Sequence, residues 1–273
     1  MSAPANGKPI TAPLTALITG ASSGIGEALA ACFARDGHRL ILVARSADKL
    51  NTLATTLRAA HRVSVDVMPA DLAAPGAAAA LAQVLRRKRR AVDVLVNNAG
   101  VLEQGAFERI AAARHQQLID LNVSGLTALL SAFVPAMVKR GHGRVLNVAS
   151  IAAFQPVPGL ATYAATKAYV LSLTESLAEE LRGSGVTVTA LCPGITATGM
   201  LDSAAAHNDK LVKLPSFLVG AVEAVAEQAY RACLRGDVIC VPGALNRAAT
   251  LAAGATPKWL LRRVAGALGR RVM

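Results

Sequence analysis

Short apolar runs alternate with amphipathic stretches along nearly the whole chain. The runs LTALIT (14–19), HRLILVA (38–44), VSVDVM (63–68), VDVLVN (92–97), RVLNVA (144–149), VTVTALC (186–192) and DVICV (237–241) are largely unbroken and rich in β-branched residues. Such runs predict strands buried on both faces. Between them EALAACFARD, SADKLNTLATTLRAA, PGAAAALAQVLRRKRR and the segment from about Arg109 to Arg140 carry apolar residues at helical spacing. This rhythm predicts an α/β chain, with a doubly wound parallel sheet of about seven strands in three α/β/α layers. No Gly-, Pro- or Ser-rich linker interrupts it. Residues 14–273 therefore read as one domain, preceded by a loose polar tail (1–13) and closed by a helical extension (243–273).

Composition narrows the function classes. With 273 residues, 53% hydrophobic and 17% charged, the chain can bury a large core. Leu121 to Val138 is uncharged and nearly long enough to span a bilayer, but it includes Asn122, Ser124, Gly125, Thr127, Ser131 and Pro135. We read it as a buried or interface helix and expect no transmembrane segment. Cys32, Cys192, Cys233 and Cys240 form no CxxC pair and have no His at ligand spacing, so no metal site is expected. They read as core residues of a protein in a reducing, cytoplasmic compartment.

The net charge of +12 raises nucleic acid or an acidic membrane as partners. The run RRKRR (86–90) has no interleaved aromatic residues, and aromatics make up 3% of the chain, which argues against base stacking and for a solvated helix end. No nucleic-acid partner is expected. In the extension, Trp259, Leu260, Leu261, Val264 and Leu268 are expected to form an apolar face with arginines opposite. Packing on the domain or on a neighbouring subunit outweighs a weak contact with a membrane surface.

Two stretches carry chemistry. Directly after the first strand stands TGASSGIG, with Gly20, Gly24 and Gly26 leading into a helix. Glycines there permit a tight turn and let backbone N–H groups approach a pyrophosphate at a helix N-terminus. Farther on, YAATK places Tyr163 and Lys167 four residues apart on a helical pattern, so both share one face about 6 Å apart along the axis. A sheltered Lys cation beside the phenol contributes ~4 kcal/mol toward phenolate, against ~1 kcal/mol in bulk water. Lys167 is thus expected to lower the pKa of Tyr163 from its usual ~10. An exposed pair would do nothing useful.

The spacing GxxxGxG, together with NNAG (97–100), Asn122, Ser150, Tyr163, Lys167 and PGIT (193–196) in this order, resembles the short-chain dehydrogenase/reductase family. The resemblance spans roughly residues 14–241. It implies a Rossmann-like nucleotide-binding fold and a carbonyl–alcohol oxidoreductase. Tyr163 would act as general acid/base, Lys167 would also hold the nicotinamide ribose, and Ser150 would hydrogen-bond the reacting oxygen. Asn122 would anchor a water linking Lys167 to solvent. The cofactor would lie along Gly20, Ser22, Ser23, Gly24, Ile25 and Gly26, then Asp71 and Leu72 at the adenine, then Asn98, Ala99 and Gly100. At the nicotinamide end it would meet Tyr163, Lys167, Pro193, Gly194, Ile195, Thr196 and Thr198.

Arg45 ends the second strand where an acidic residue would bind an NAD ribose, and its guanidinium suits a 2'-phosphate. NADP is therefore expected over NAD, although a solvent-facing Arg at a helix start is the plainer reading and Ser23, not a base, precedes Gly24. The residues after NNAG (Val101, Leu102), the stretch 151–158 and the stretch 198–217 should wall a mainly apolar substrate pocket, with Leu201 to Pro215 as a lid. Glu103, Gln155, His207 and Lys213 are the polar groups within reach. A homodimer or homotetramer is expected through the uncharged helix and the Tyr163 helix. Three rival readings are a non-catalytic NADP(H)-binding regulatory or scaffold protein, a basic binder of nucleic acid or membrane, and an enzyme that isomerises or dehydrates with retained cofactor.

Overall fold

In the computed structural model, which describes residues 13–196 and 220–269, every predicted strand enters one seven-stranded sheet. The strands are β1 (Thr15–Thr19), β2 (Arg39–Ala44), β3 (Val65–Pro69), β4 (Val94–Asn97), β5 (Gly143–Val148), β6 (Val186–Leu191) and β7 (Ile239–Cys240). They run parallel in the order β3-β2-β1-β4-β5-β6-β7. The third strand starts two residues later than its apolar run, and the seventh keeps only Ile239 and Cys240. The chain begins at the middle of the sheet and winds outward in both directions, so the order reverses between β1 and β4. In open parallel sheets the crevice beyond the carboxyl ends of such a pair is where ligands bind.

The unbroken apolar runs are explained by what covers the two faces. Ala16, Ile18, Leu40, Leu42, Val94 and Val96 pack against α1 (Gly24–Arg35), α2 (Ala47–His61) and α7 (Val222–Arg235). Their neighbours Leu17, Ile41, Val43, Leu95 and Val145 point the other way, onto α3 (Ala77–Arg87), α5 (Leu126–Arg140) and α6 (Ala161–Glu180). Successive strand residues face opposite sides, so a sheet covered twice needs apolar residues at every position. The result is a three-layer, Rossmann-like fold.

The long uncharged segment is a helix with a fault in it. α4 (Ala112–Ile119) passes through a π-helical turn, Asp120–Gly125, into α5, whose Leu126, Leu129, Leu130, Phe133 and Met137 are buried. Residues 112–140 are long and apolar enough to cross a membrane, but the inner stripe is occupied by the domain's own core. α3 closes at Arg87, and Arg86 to Arg90 stand exposed where the chain turns toward β4, with Arg90 3.7 Å from Asp66. That places the basic run at the amino-terminal edge of the sheet, opposite the crevice. Two further helices, α8 (Ala244–Ala255) and α9 (Lys258–Gly269), follow β7.

Candidate active site

The crevice is assembled by the loops after β1 and β4, which are stitched to each other. Thr19 Oγ1 donates to the Val96 carbonyl (3.1 Å) and accepts from the Asn98 and Ala99 amides (2.9 and 3.0 Å). Asn98 Nδ2 returns two bonds, to the carbonyls of Thr19 (3.0 Å) and Gly20 (3.1 Å). Gly20 and Gly24 sit at φ +63° and +58°, in the left-handed region that glycine tolerates. Gly26 is required for a different reason: a Cβ there would stand 2.3 Å from the Gly20 carbonyl oxygen and 2.4 Å from Asn98 Nδ2. The first turn of α1 thus lies directly on the loop. Ser23 precedes α1 in extended conformation and its side chain caps nothing, which leaves the helix N-terminus without a side-chain cap beside the crevice.

The opposite end is formed by β5 and α6. Ser150 lies just past β5 with φ −171°, and its Oγ accepts from the Ala152 amide (3.2 Å), starting the 3-10 turn Ile151–Phe154. It therefore shapes the turn and keeps its O–H free to donate. Tyr163 and Lys167 share one face of α6 and are both buried, at 9% and 5% exposure. Lys167 Nζ donates to the Val148 carbonyl at 2.8 Å and lies 5.7 Å from the centre of the Tyr163 ring. Asn122, in the π turn, uses its carboxamide to pair with both backbone groups of Val101, each at 2.9 Å, and donates to Thr166 Oγ1 (3.2 Å). Its side chain fastens the NNAG loop to α6.

Electrostatics correct one expectation. Burial pushes the Tyr163 hydroxyl above its ordinary value, offset in part by Ser150, and Lys167 does not reverse this. Burial also pushes the Lys167 ammonium down to about 8, with Cys192 acting weakly against it. Helical spacing predicts the shared face but not the desolvation, which is the largest influence on both partners.

One continuous cleft of about 820 Å³ runs between these ends. Gly20, Ser22, Ser23, Gly24, Ile25, Arg45, Asp71, Leu72, Asn98, Ala99 and Gly100 line it, as do Ser150, Tyr163, Lys167 and the turn Pro193 to Thr196. Gly26 and Asn122 do not line it; they hold its walls. Asp71 Oδ1 also accepts from the Ala73 amide (3.1 Å). Thr198, His207, Lys213 and the proposed lid Leu201 to Pro215 lie outside the described residues. The substrate end carries Val101, Leu102, Ile151, Val157 and Leu160, with Gln155 as a polar group. Glu103 is not available there, because Arg114 holds it in an ion pair at 2.6 Å.

The cleft also contains groups that the sequence reading passed over. Ser46 and Lys49 stand with Arg45 at one end, and Gln104 lies beside Leu102. Lys49 left a legible trace: a cation in the first turn of a helix opposes the helix dipole and needs an anion to justify it. Asn246, from α8, abuts Gly194, where a Cβ would come within 2.6 Å of its Nδ2. No local pattern announces that contact. The donor set fits a dinucleotide phosphate: a helix N-terminus behind a glycine cradle, and a basic pair beyond it. A side chain at Gly100 would reach 3.5 Å from Lys167 Nζ, so the glycine keeps that end of the cleft open.

A family model for short chain dehydrogenases matches residues 14–209. The Oxidoreductase UcpA of Escherichia coli (strain K12) is 39% identical over 197 residues, covering 71% of this chain and 74% of that protein. Among solved structures, the short-chain dehydrogenase from Sphingobium yanoikuyae in complex with NADPH is similar at TM-score 0.78 and 36% identity, covering 89% of this chain and 96% of its own. The bulky-bulky ketone specific alcohol dehydrogenase from Comamonas testosteroni gives TM-score 0.74 and 33% identity, with 90% and 95% covered. With the stitched glycine loops and the Ser150, Tyr163 and Lys167 cluster at two ends of one cleft, these matches establish that the chain belongs to the short chain dehydrogenase family.

Proposed function

We propose that the protein is an NADP(H)-dependent oxidoreductase that interconverts a ketone or aldehyde with an alcohol, on a mainly apolar substrate. The observation that carries this is the convergence of Ser150, Tyr163 and Lys167 on the buried end of a cleft whose other end offers a basic pair. The helix N-terminus behind Ser22 and Ser23 would hold the pyrophosphate, Asp71 and Leu72 would flank the adenine, and Arg45 with Lys49 would hold the 2'-phosphate. The nicotinamide, when bound, supplies or takes up the hydride. A relative of this fold binds NADPH, and another is named for bulky ketones, which supports both halves of the reading.

The chain's own residues handle the oxygen. In reduction, Tyr163 donates its proton to the substrate oxygen while the Ser150 hydroxyl donates a hydrogen bond to the charge developing there. The raised Tyr163 keeps the phenol protonated at neutral pH, which suits it as an acid. Lys167 stabilises the phenolate left behind and would hold the ribose beside it. The π turn carries Asn122 next to Lys167, and proton resupply through a water there is part of the proposal. Apolar walls at Val101, Leu102 and Leu160 exclude bulk water and give polar substrates little to pair with. We include self-association in the proposal, since Phe107 and Ile119 border a shallow apolar groove beside α6 and Tyr169 is exposed nearby on that helix.

The test is NADPH absorbance against a panel of apolar aldehydes, ketones and alcohols, with NADH in parallel. Turnover that Tyr163→Phe abolishes while NADPH binding persists is the expected result. NADPH binding without turnover of any panel member would leave the scaffold or retained-cofactor readings standing instead, and an active Tyr163→Phe variant would overturn the acid/base role proposed for Tyr163.

A further inference from the structure

The last two helices carry a surface that the reaction does not use. From Val238 to the end of the sequence there is no acidic residue, while Arg247, Lys258, Arg262, Arg263, Arg270 and Arg271 all fall there. The same stretch exposes large apolar side chains: Leu245 (61%), Leu251 (76%), Trp259 (55%) and Leu260 (39%). Trp259 is the chain's single tryptophan. It shares a helical face with Arg262 and Arg263, the latter 5.7 Å from its ring centre. α8 meets the domain through Asn246, Thr250 and Ala253, and its Arg247 folds back to donate to the Val241 carbonyl (3.2 Å), so Leu251 is left on the outer face of this helix.

We propose that α8 and α9 form a docking surface for an anionic lipid bilayer. Cations that form no ion pair among the described residues, beside exposed leucines and a tryptophan, match the two layers of such a surface, acidic headgroups over an apolar interior. Nucleic acid would satisfy the arginines and leave the leucines in water. The other basic run, Arg86 to Arg90, lies at the opposite edge of the sheet and has no comparable leucines. Because α8 lies against Gly194 and the turn after Ser150, docking there brings the cleft to the lipid side. Entry of an apolar carbonyl from the bilayer would rest on the function proposed above; docking itself does not.

Docking is tested by co-sedimenting the full chain with vesicles of phosphatidylcholine alone or mixed with phosphatidylglycerol, while Trp259 emission is followed. The surface predicts pelleting with the anionic vesicles, loss of pelleting as salt rises, and a blue shift of Trp259 on vesicle addition. Arg262→Glu with Arg263→Glu should weaken partitioning by at least about tenfold. Leu251→Gln should weaken it separately, and both variants should keep wild-type turnover of a water-soluble carbonyl if the protein is the reductase proposed. Equal pelleting with neutral and anionic vesicles overturns the proposal. So does a blue shift that tracks protein concentration without lipid, which would mean self-association, or binding to a DNA duplex with none to vesicles.

Discussion

Lys167 donates a 2.8 Å hydrogen bond to the carbonyl of Val148 from a site that is almost fully enclosed. The bond aims the ammonium at the end of β5 instead of at the Tyr163 hydroxyl, and it compensates only part of the cost of burying a charge. That cost has a measurable sign. Lys167 titrates at about 8 in the folded chain against 10.5 for the free side chain, so below pH 8 both states are protonated and the folded state bears the full penalty. The penalty, about 3 kcal/mol, fades as pH rises from 8 toward 10.5.

Lys167→Met should therefore be more stable than the parent at pH 7, by about 1–2 kcal/mol once the lost Val148 bond is subtracted. The advantage should shrink by pH 10. Urea unfolding of both proteins without cofactor at the two pH values measures it, and the variant should lack turnover. A variant less stable at pH 7 would show that the hydrogen bond outweighs desolvation.

The raised Tyr163 hydroxyl gives the two reaction directions opposite pH dependences. Reduction uses the protonated phenol, so kcat/KM should be flat through neutral pH and fall only on the alkaline side. Alcohol oxidation uses the phenolate and should keep rising as pH increases past 8. Because kcat/KM reports groups on free enzyme, it reads Tyr163 in the setting described here. A reduction profile already declining near pH 7 would show that Lys167 controls the phenol after all.

Arg45 and Lys49 should both read the cofactor's 2'-phosphate. Each lines the cleft, is exposed, and is in no ion pair among the described residues. Lys49→Ala should raise KM for NADPH by about fivefold and leave KM for NADH unchanged, in keeping with a contact of about 1 kcal/mol at a solvated site. Arg45→Asp should go further and reverse the preference. Equal effects on both cofactors would assign Lys49 to general field effects only.

How much of this was legible in the sequence depended on whether the cause was local. The strands were plain because burial on both faces leaves an unbroken apolar run. The need for Gly26 was plain too, but not its reason: the backbone it must clear belongs to Gly20, and only the fold shows that approach. The π turn at Asp120–Gly125 left no pattern, since one extra residue in a helix barely alters the apolar period. Proximity of Tyr163 and Lys167 followed from helix geometry, while the direction of their shifts came from burial, a tertiary property. Asn97 is visible as the polar end of one apolar run and Asn147 as a polar interruption inside another, and their partners could not be inferred.

Gly26 and Gly37 offer a paired test of clash against conformational cost. Gly26→Ala forces a Cβ onto the Gly20 carbonyl and Asn98 at 2.3 and 2.4 Å, so α1 must leave the loop. Gly37 has φ +79° and nothing within 4 Å of an added Cβ. Gly37→Ala should cost about 1 kcal/mol in thermal or urea unfolding and leave NADPH affinity intact. Gly26→Ala should cost about 3 kcal/mol and lose most NADPH binding by titration. If the two variants bound NADPH equally well, the glycine cradle would not be shaping the phosphate site.

The interrupting asparagines belong to a buried ladder that fixes α6. Asn97 Nδ2 donates to Asn147 Oδ1 (2.9 Å), Asn147 Nδ2 donates to Thr174 Oγ1 (2.9 Å), and Thr174 donates to the Val170 carbonyl (2.7 Å). Asn97 and Asn147 face each other in the β4–β5 register, and all three side chains are essentially unexposed. The ladder ties the sheet to the helix that carries Lys167 and Tyr163, about two and three turns upstream of Thr174. Thr174→Val keeps the shape but leaves the Asn147 amide without an acceptor, which should cost about 1–3 kcal/mol in urea unfolding. Thr174→Ser should restore most of it. If the ladder positions the catalytic pair and does not merely add stability, kcat should fall severalfold in the Val variant at temperatures where it is fully folded, with KM for NADPH unchanged. An unaltered kcat would reduce the ladder to a structural tie.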